Sequence, residues 1–151
     1  MKENETVLED WLVRAKRKTN AHARCASHFE FCHRAIGVPL VALSAITGTT
    51  VVAQYIDNDP KWWGVTLVVL TAILTSLQTF FDYGARAEKH KSVSASFSNL
   101  RREIQCVIDK PEFNQSDYTR LGEIFDNLVG GEPIIPHRIW KDVENKYPRP
   151  L

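Results

Sequence analysis

Two apolar segments with no charged side chain, held five residues apart, leave this chain very few ways to fold. Ala35 to Ile56 (AIGVPLVALSAITGTTVVAQYI) and Trp62 to Phe81 (WWGVTLVVLTAILTSLQTFF) each run for about 20 residues, the length an α-helix needs to cross roughly 30 Å of hydrocarbon. Lipid offers no water to free backbone groups, so segments of this kind are helical there, and Asp57 to Lys61 between them has room only for a tight turn. The alternative is a buried hairpin in a soluble bundle. A soluble helix of this size carries charges on its outer face, and neither segment has any. The first is the less apolar, diluted by Ser44, Thr47, Thr49, Thr50 and Gln54. Its strong apolar side chains contribute roughly −3 to −5 kcal/mol toward insertion before polar costs, so it is expected to insert together with the second.

The sequence therefore predicts an all-α membrane protein: a two-helix transmembrane hairpin continuing into a cytoplasmic helical stalk with short C-terminal helices. The divisions are 1–34, a cytoplasmic amphipathic helix; 35–81, the hairpin; and 82–151, a cytoplasmic helical region. The 151 residues leave no room for more. Lys2, Arg14, Lys16, Arg17, Lys18, Arg24 and Arg34 precede the first span, and Arg86, Lys89, Lys91, Arg101 and Arg102 follow the second. Only Lys61 lies between the spans, which by the positive-inside rule puts both termini in the cytoplasm. Tyr55, Trp62 and Trp63 fit an aromatic belt at the opposite interface. Met1 to Arg34 lacks the apolar core of a cleavable signal, and Cys25, Cys32 and Cys106 fall on the reducing side, so no disulfide framework is expected.

Leu8, Leu12, Ala15, Thr19, His22, Ala26, Phe29 and His33 recur at helical spacing and line one face of the N-terminal helix. The cluster RAKRK is suited to anionic head groups or a nucleotide, but reads first as a solvated face. Pro39 marks either a break before the span or a kink in one continuous helix. Gly37, Ser44 and Gly48 share a small-residue face that suits close helix packing, against the second span or another subunit. After Phe81, Val93, Phe97, Leu100, Ile104 and Val107 repeat in heptads through about Ile108, and this stripe pairs with the N-terminal helix or between subunits. Pro111 ends that helix. Asn114 or Ser116 caps a shorter one with Tyr118, Leu121, Phe125 and Leu128 inside, Gly130 and Gly131 stop it, and Pro136 opens a last helix carrying Ile139, Trp140 and Val143.

In the second span, Thr71, Thr75, Gln78 and Asp82 fall within about 60° of one another, a polar stripe ending in a carboxylate. Such a stripe lines water, or else bridges two helices by hydrogen bonds on the order of 1 kcal/mol each. Two helices cannot enclose a pore, so conduction requires a homo-oligomer. His22, Cys25, His28 and Cys32 are zinc-ligand types on one helix, but a single helix cannot wrap four ligands around a tetrahedral ion, and no metal or cofactor is expected. The sequence contains no GxxxxGK, GxSxG or HExxH, which argues against an enzyme, and its basic residues are mixed with acids, which argues against nucleic acid.

The runs IGVPLVALSAITGTTVVA, ILTSLQTFFDYGARAEKH and SFSNLRREI, with a weaker PIIPHRIWKDV, resemble the SLATT family of small two-helix membrane proteins found beside bacterial nucleotide-signalling and anti-phage systems. The resemblance covers roughly residues 10 to 145. It implies an effector that oligomerises into a pore and compromises the cell's own inner membrane. The implied activator is a nucleotide second messenger or an upstream sensor protein. No sensor domain is appended to this chain, so the coupling surface is sought in the helical region. The residues at the matching motifs are Ala87, Glu88, Lys89 and His90, with Arg101, Arg102 and Glu103; Phe97 and Leu100 lie between them as oligomer candidates. Intersubunit salt bridges are an equal use for these groups. The rival functions are a non-conducting, membrane-anchored adaptor whose stalk recruits a cytoplasmic partner, and a thiol or metal sensor built on Cys25 and Cys32.

Overall fold

A computed structural model describes residues 2–57, 62–110 and 114–148. Its elements are α1 (Lys2–Asp57), α2 (Trp62–Phe81), α3 (Tyr83–Ile108), α4 (Gln115–Gly131) and α5 (His137–Lys146), with no strand among the described residues. The turn expected after Asp57 and the stop expected at Pro111 lie outside the described residues. The chain divides into two compact units. One gathers residues up to Ser27 and from Ala87 onward, and the other comprises His28–Arg86.

The first, helical unit has a closed interior. Leu8 and Ala15 of α1, Phe97, Leu100, Ile104 and Val107 of α3, and Leu121 and Phe125 of α4 form one buried cluster. Trp11 stacks on Tyr118 with ring centroids 5.0 Å apart and on Phe125 at 6.0 Å. Fully burying a side chain of this size contributes about 1.5–3 kcal/mol, so this cluster is the main source of the unit's stability. The heptad positions of α3 and the inner face of α4 thus fall inside as their spacing predicts. Asn114 is the cap of α4, its side-chain oxygen accepting from the Ser116 N–H at 3.0 Å. Gly130 and Gly131 do not stop α4. The helix runs through both and ends at Glu132, which Pro133 holds extended at φ −73°, ψ 142°.

The second unit is a hairpin with almost no interior of its own. Only 11% and 6% of the most apolar stretches of its two long helices is buried within the protein. Val41, Ile46, Val65, Val69 and Phe80 all stand exposed. A helix in a soluble core would be mostly buried. An uncharged, outward-facing apolar surface is what lipid requires, and both helices are long and apolar enough to cross a membrane. α1 passes through Pro39 without a break.

Between α2 and α3 the expected continuous helix is interrupted by a single residue. Asp82 has φ 41°, in the left-handed region that Asp tolerates better than most side chains. Helical hydrogen bonding resumes on either side, with the Asp82 N–H donating to the Gln78 carbonyl at 3.1 Å and the Arg86 N–H donating to the Asp82 carbonyl at 3.2 Å. The Asp82 carboxylate also accepts from the Ala85 N–H at 3.3 Å. One residue is therefore both the end of the polar stripe and the cap of the next helix.

Candidate functional site: a polar groove in an apolar hairpin

The hairpin helices meet through few groups. The Thr47 and Thr71 hydroxyls lie 3.2 Å apart, and Thr47 is buried. Gly64 is the buried residue of α2 because the Gln54 side chain lies over it: a Cβ there would sit 2.5 Å from the Gln54 amide nitrogen. Gly37 receives Gln78 in the same way, with 3.3 Å between the Gln78 Nε2 and the place a Cβ would occupy. Of the predicted small-residue face, Gly37 thus touches α2. Gly48 has open space around it, and Ser44 is exposed with its hydroxyl donating to the Leu40 carbonyl at 2.8 Å.

The stripe on α2 is divided in its roles. Thr71 bridges to α1, while Thr75, Gln78 and Asp82, joined by His33 and Thr79, line an open recess of about 500 Å³. A neighbouring recess of about 580 Å³ shares His33, Thr75 and Gln78 and extends past Gly37 to Ser44. The Gln78 Oε1 is buried without a hydrogen-bond partner among the described residues. The hydroxyls are satisfied by their own helix, Thr71 donating to the Leu67 carbonyl and Thr75 to the Thr71 carbonyl, both at 2.8 Å. Hydroxyls bonded back in this way tolerate lipid, yet their lone pairs still accept from water once water is present. The stripe suits both a dry and a wet setting.

His33 and Thr79 were not placed in this groove from the sequence, nor Thr47 at the contact with Thr71. The available signal was register: in an antiparallel helix pair, residues whose numbers have the same sum meet, as Thr47 meets Thr71 and Gln54 meets Gly64.

The residues considered for coupling sit differently. Phe97 and Leu100 are core, 0% and 1% exposed, so they present no surface to a partner. Glu88, Arg101 and Arg102 are exposed, and Glu103 reaches Arg120 at 3.2 Å. His90 is buried, with its Nδ1 2.9 Å from the Nδ1 of His22. His22 is stacked on Phe97, and its Nε2 lies 3.1 Å from Glu132, whose other oxygen accepts from Lys18. With the His22 Nε2–H donating to the carboxylate, the neutral ring's Nδ1 is an acceptor and His90 must supply the Nδ1–H. Burial, partly offset by Glu132, lowers the pKa of His22; burial and the neighbouring His22 and Lys89 lower that of His90. No spacing rule in the sequence links the members of this network.

The zinc-type ligands do not converge. His22 faces His90 and Glu132, Cys25 is buried, and the Cys32 Sγ lies 3.9 Å from the exposed His28. No group of three or more His, Cys, Asp or Glu is placed to hold a metal among the described residues. Burial pushes the Cys25 thiol up to about 11, which keeps it in the less nucleophilic thiol form at neutral pH.

Residues 7–130 match the model of the SMODS and SLOG-associating 2TM effector domain family 4. No curated protein and no solved structure matches the chain.

Proposed function

Because the chain belongs to this family of two-transmembrane effector domains, we propose that it is a membrane effector of bacterial defence that assembles into a homo-oligomeric pore in the inner membrane and arrests or kills the infected cell. The observation that carries the reading is the groove of Thr75, Gln78, His33 and Asp82, set in a hairpin that otherwise turns large apolar side chains such as Val41, Ile46, Val69 and Phe80 outward. Several copies that turn this groove inward surround a polar pathway and leave the apolar faces to lipid. Both termini lie in the cytoplasm on this reading, where the helical unit receives a nucleotide second messenger or an upstream sensor. The family's association with SMODS and SLOG modules supports a signalling partner of that kind. No catalytic step is assigned to the chain.

The test joins two measurements on one sample: oligomeric mass in detergent, and release of dye or ions from loaded liposomes. A defined multimer that leaks is expected. Thr75→Leu and Gln78→Leu should each abolish leak and toxicity while membrane insertion is unchanged. Retained killing by both variants argues against this stripe as the pathway. A small species that never leaks, with exposed Glu88, Arg101 and Arg102 capturing a cytoplasmic protein, favours the adaptor instead.

A further inference from the structure

The basic cluster of α1, read from sequence as a solvated face, is covered in part: Arg17 is buried and Lys18 half-buried, while Arg14 and Lys16 stay exposed. Arg17 is 2% exposed, and its Nε donates to the Tyr147 backbone carbonyl at 2.6 Å. The Lys18 ammonium pairs with Glu132 and lies 5.4 Å from the centre of the Trp140 ring, and Lys16 lies 4.9 Å from that of Tyr147. What covers it is the last part of the chain, the connector from Glu132 and α5, which follows directly on the family-matched region that ends at residue 130.

The attachment mixes polar and apolar contacts: Val143 is sealed and Ile135, Ile139, Trp140 and Tyr147 are half-buried, while Ile134 in the connector is 92% exposed. The buried Arg17 guanidinium has a carbonyl and, at 3.9 Å, one oxygen of the half-exposed Glu144 carboxylate. A buried cation so incompletely neutralised returns only part of its desolvation cost. With one side chain of α5 fully sealed, the others half-covered and an incompletely neutralised cation beneath, the segment has the character of a releasable contact more than of a permanent core.

We propose that the segment from Glu132 to Tyr147 is an autoinhibitory strap: closed over Arg17, Lys18 and His22 it holds the helical unit in its resting arrangement, and its release switches the effector on. The proposal rests on the effector reading above but not on the pore.

The experiment uses the full chain with Glu132→Lys, which sets like charge against Lys18 and removes the carboxylate that accepts from His22. Amide hydrogen exchange in α5 should quicken about ten-fold or more while that of Phe97 to Ile104 in α3 stays slow, and the variant should act without any trigger. The double variant Lys18→Glu with Glu132→Lys restores the opposite charges, though not the acceptor for His22, and should bring both exchange and output back toward rest. Should Glu132→Lys also disturb α3, Trp140→Ala removes only the ring beneath Lys18 and should release α5 partially. Unchanged exchange in α5, or a freed α5 with output no higher than wild type, overturns the strap. Growth arrest without leak supports the strap and sinks the pore; equal leak from wild type and variant sinks the strap and spares the pore.

Discussion

In the helical unit Phe97, Ile104 and Leu121 are sealed off and α1, α3 and α4 are joined by apolar volume, whereas in the hairpin Val41 and Phe80 stand open and α1 meets α2 through two hydroxyls and two glutamines, each laid against a glycine. Each unit draws on what its surroundings supply. Water drives the first together by expelling its apolar surface; lipid is as apolar as leucine and gives no such drive, so the second relies on close approach and hydrogen bonds. A region held by volume resists small changes in its surface. One held by a few close contacts is ready to exchange them for contacts with another copy.

The contrast breaks most sharply at Phe97. Phe97→Ala should cost about 3–5 kcal/mol by opening a cavity in the sealed core, read as a lower denaturation midpoint with faster exchange across α3 and α4. Phe80→Ala on the open face should leave the midpoint unmoved. Equal losses at the two sites would mean that the hairpin has an interior after all.

At Gly64 the same contrast is tested from the other side. Gly64→Leu forces α2 away from Gln54 and should cost about 1–3 kcal/mol of helix pairing, measured by unfolding in mixed micelles, while Gly64→Ala costs little because the Gln54 amide is a flexible end that moves aside. A Leu variant as stable as wild type would remove close approach from the account.

The third effect is a slope rather than a step. Burial holds His22 and His90 below the ordinary value of 6.5, so the folded helical unit takes up protons less readily than the unfolded chain. Their contribution is fully present above 6.5 and is lost as the pH falls from there through the lowered values. The denaturation midpoint should therefore decline as the pH falls below 6.5, with faster exchange in α5, which the Glu132 contact helps to hold. A flat profile would mean that neither histidine changes protonation on unfolding.

Much of this architecture is written locally. Uncharged runs of spanning length declare a hairpin, and the spacing of Leu8, Ala15, Phe97, Leu100 and Ile104 declares which faces close. The network of Lys18, His22, His90 and Glu132 is not written that way, because its members come from distant parts of the chain and no spacing rule links them. Its one local sign is His22 itself, placed between Thr19 and Ala26 on an inner face where an imidazole needs a partner. Arg17 looks solvated from sequence because the groups that cover it, a Tyr147 carbonyl and a half-exposed Glu144, carry no pattern. Asp82 was legible as the end of a polar stripe but not as a break, since a left-handed φ leaves no trace in composition.

The four tryptophans divide evenly between the two units. Trp11 is stacked among rings and Trp140 lies under an ammonium, while Trp62 and Trp63 stand 80% and 42% exposed at the end of the hairpin. The molecule thus carries two separate optical probes. A quencher confined to lipid should dim the second pair and spare the first, and a variant keeping one pair, with phenylalanine at the other two positions, reports on one unit alone. Whether strap and hairpin move together or in sequence can then be read from the light the protein already emits.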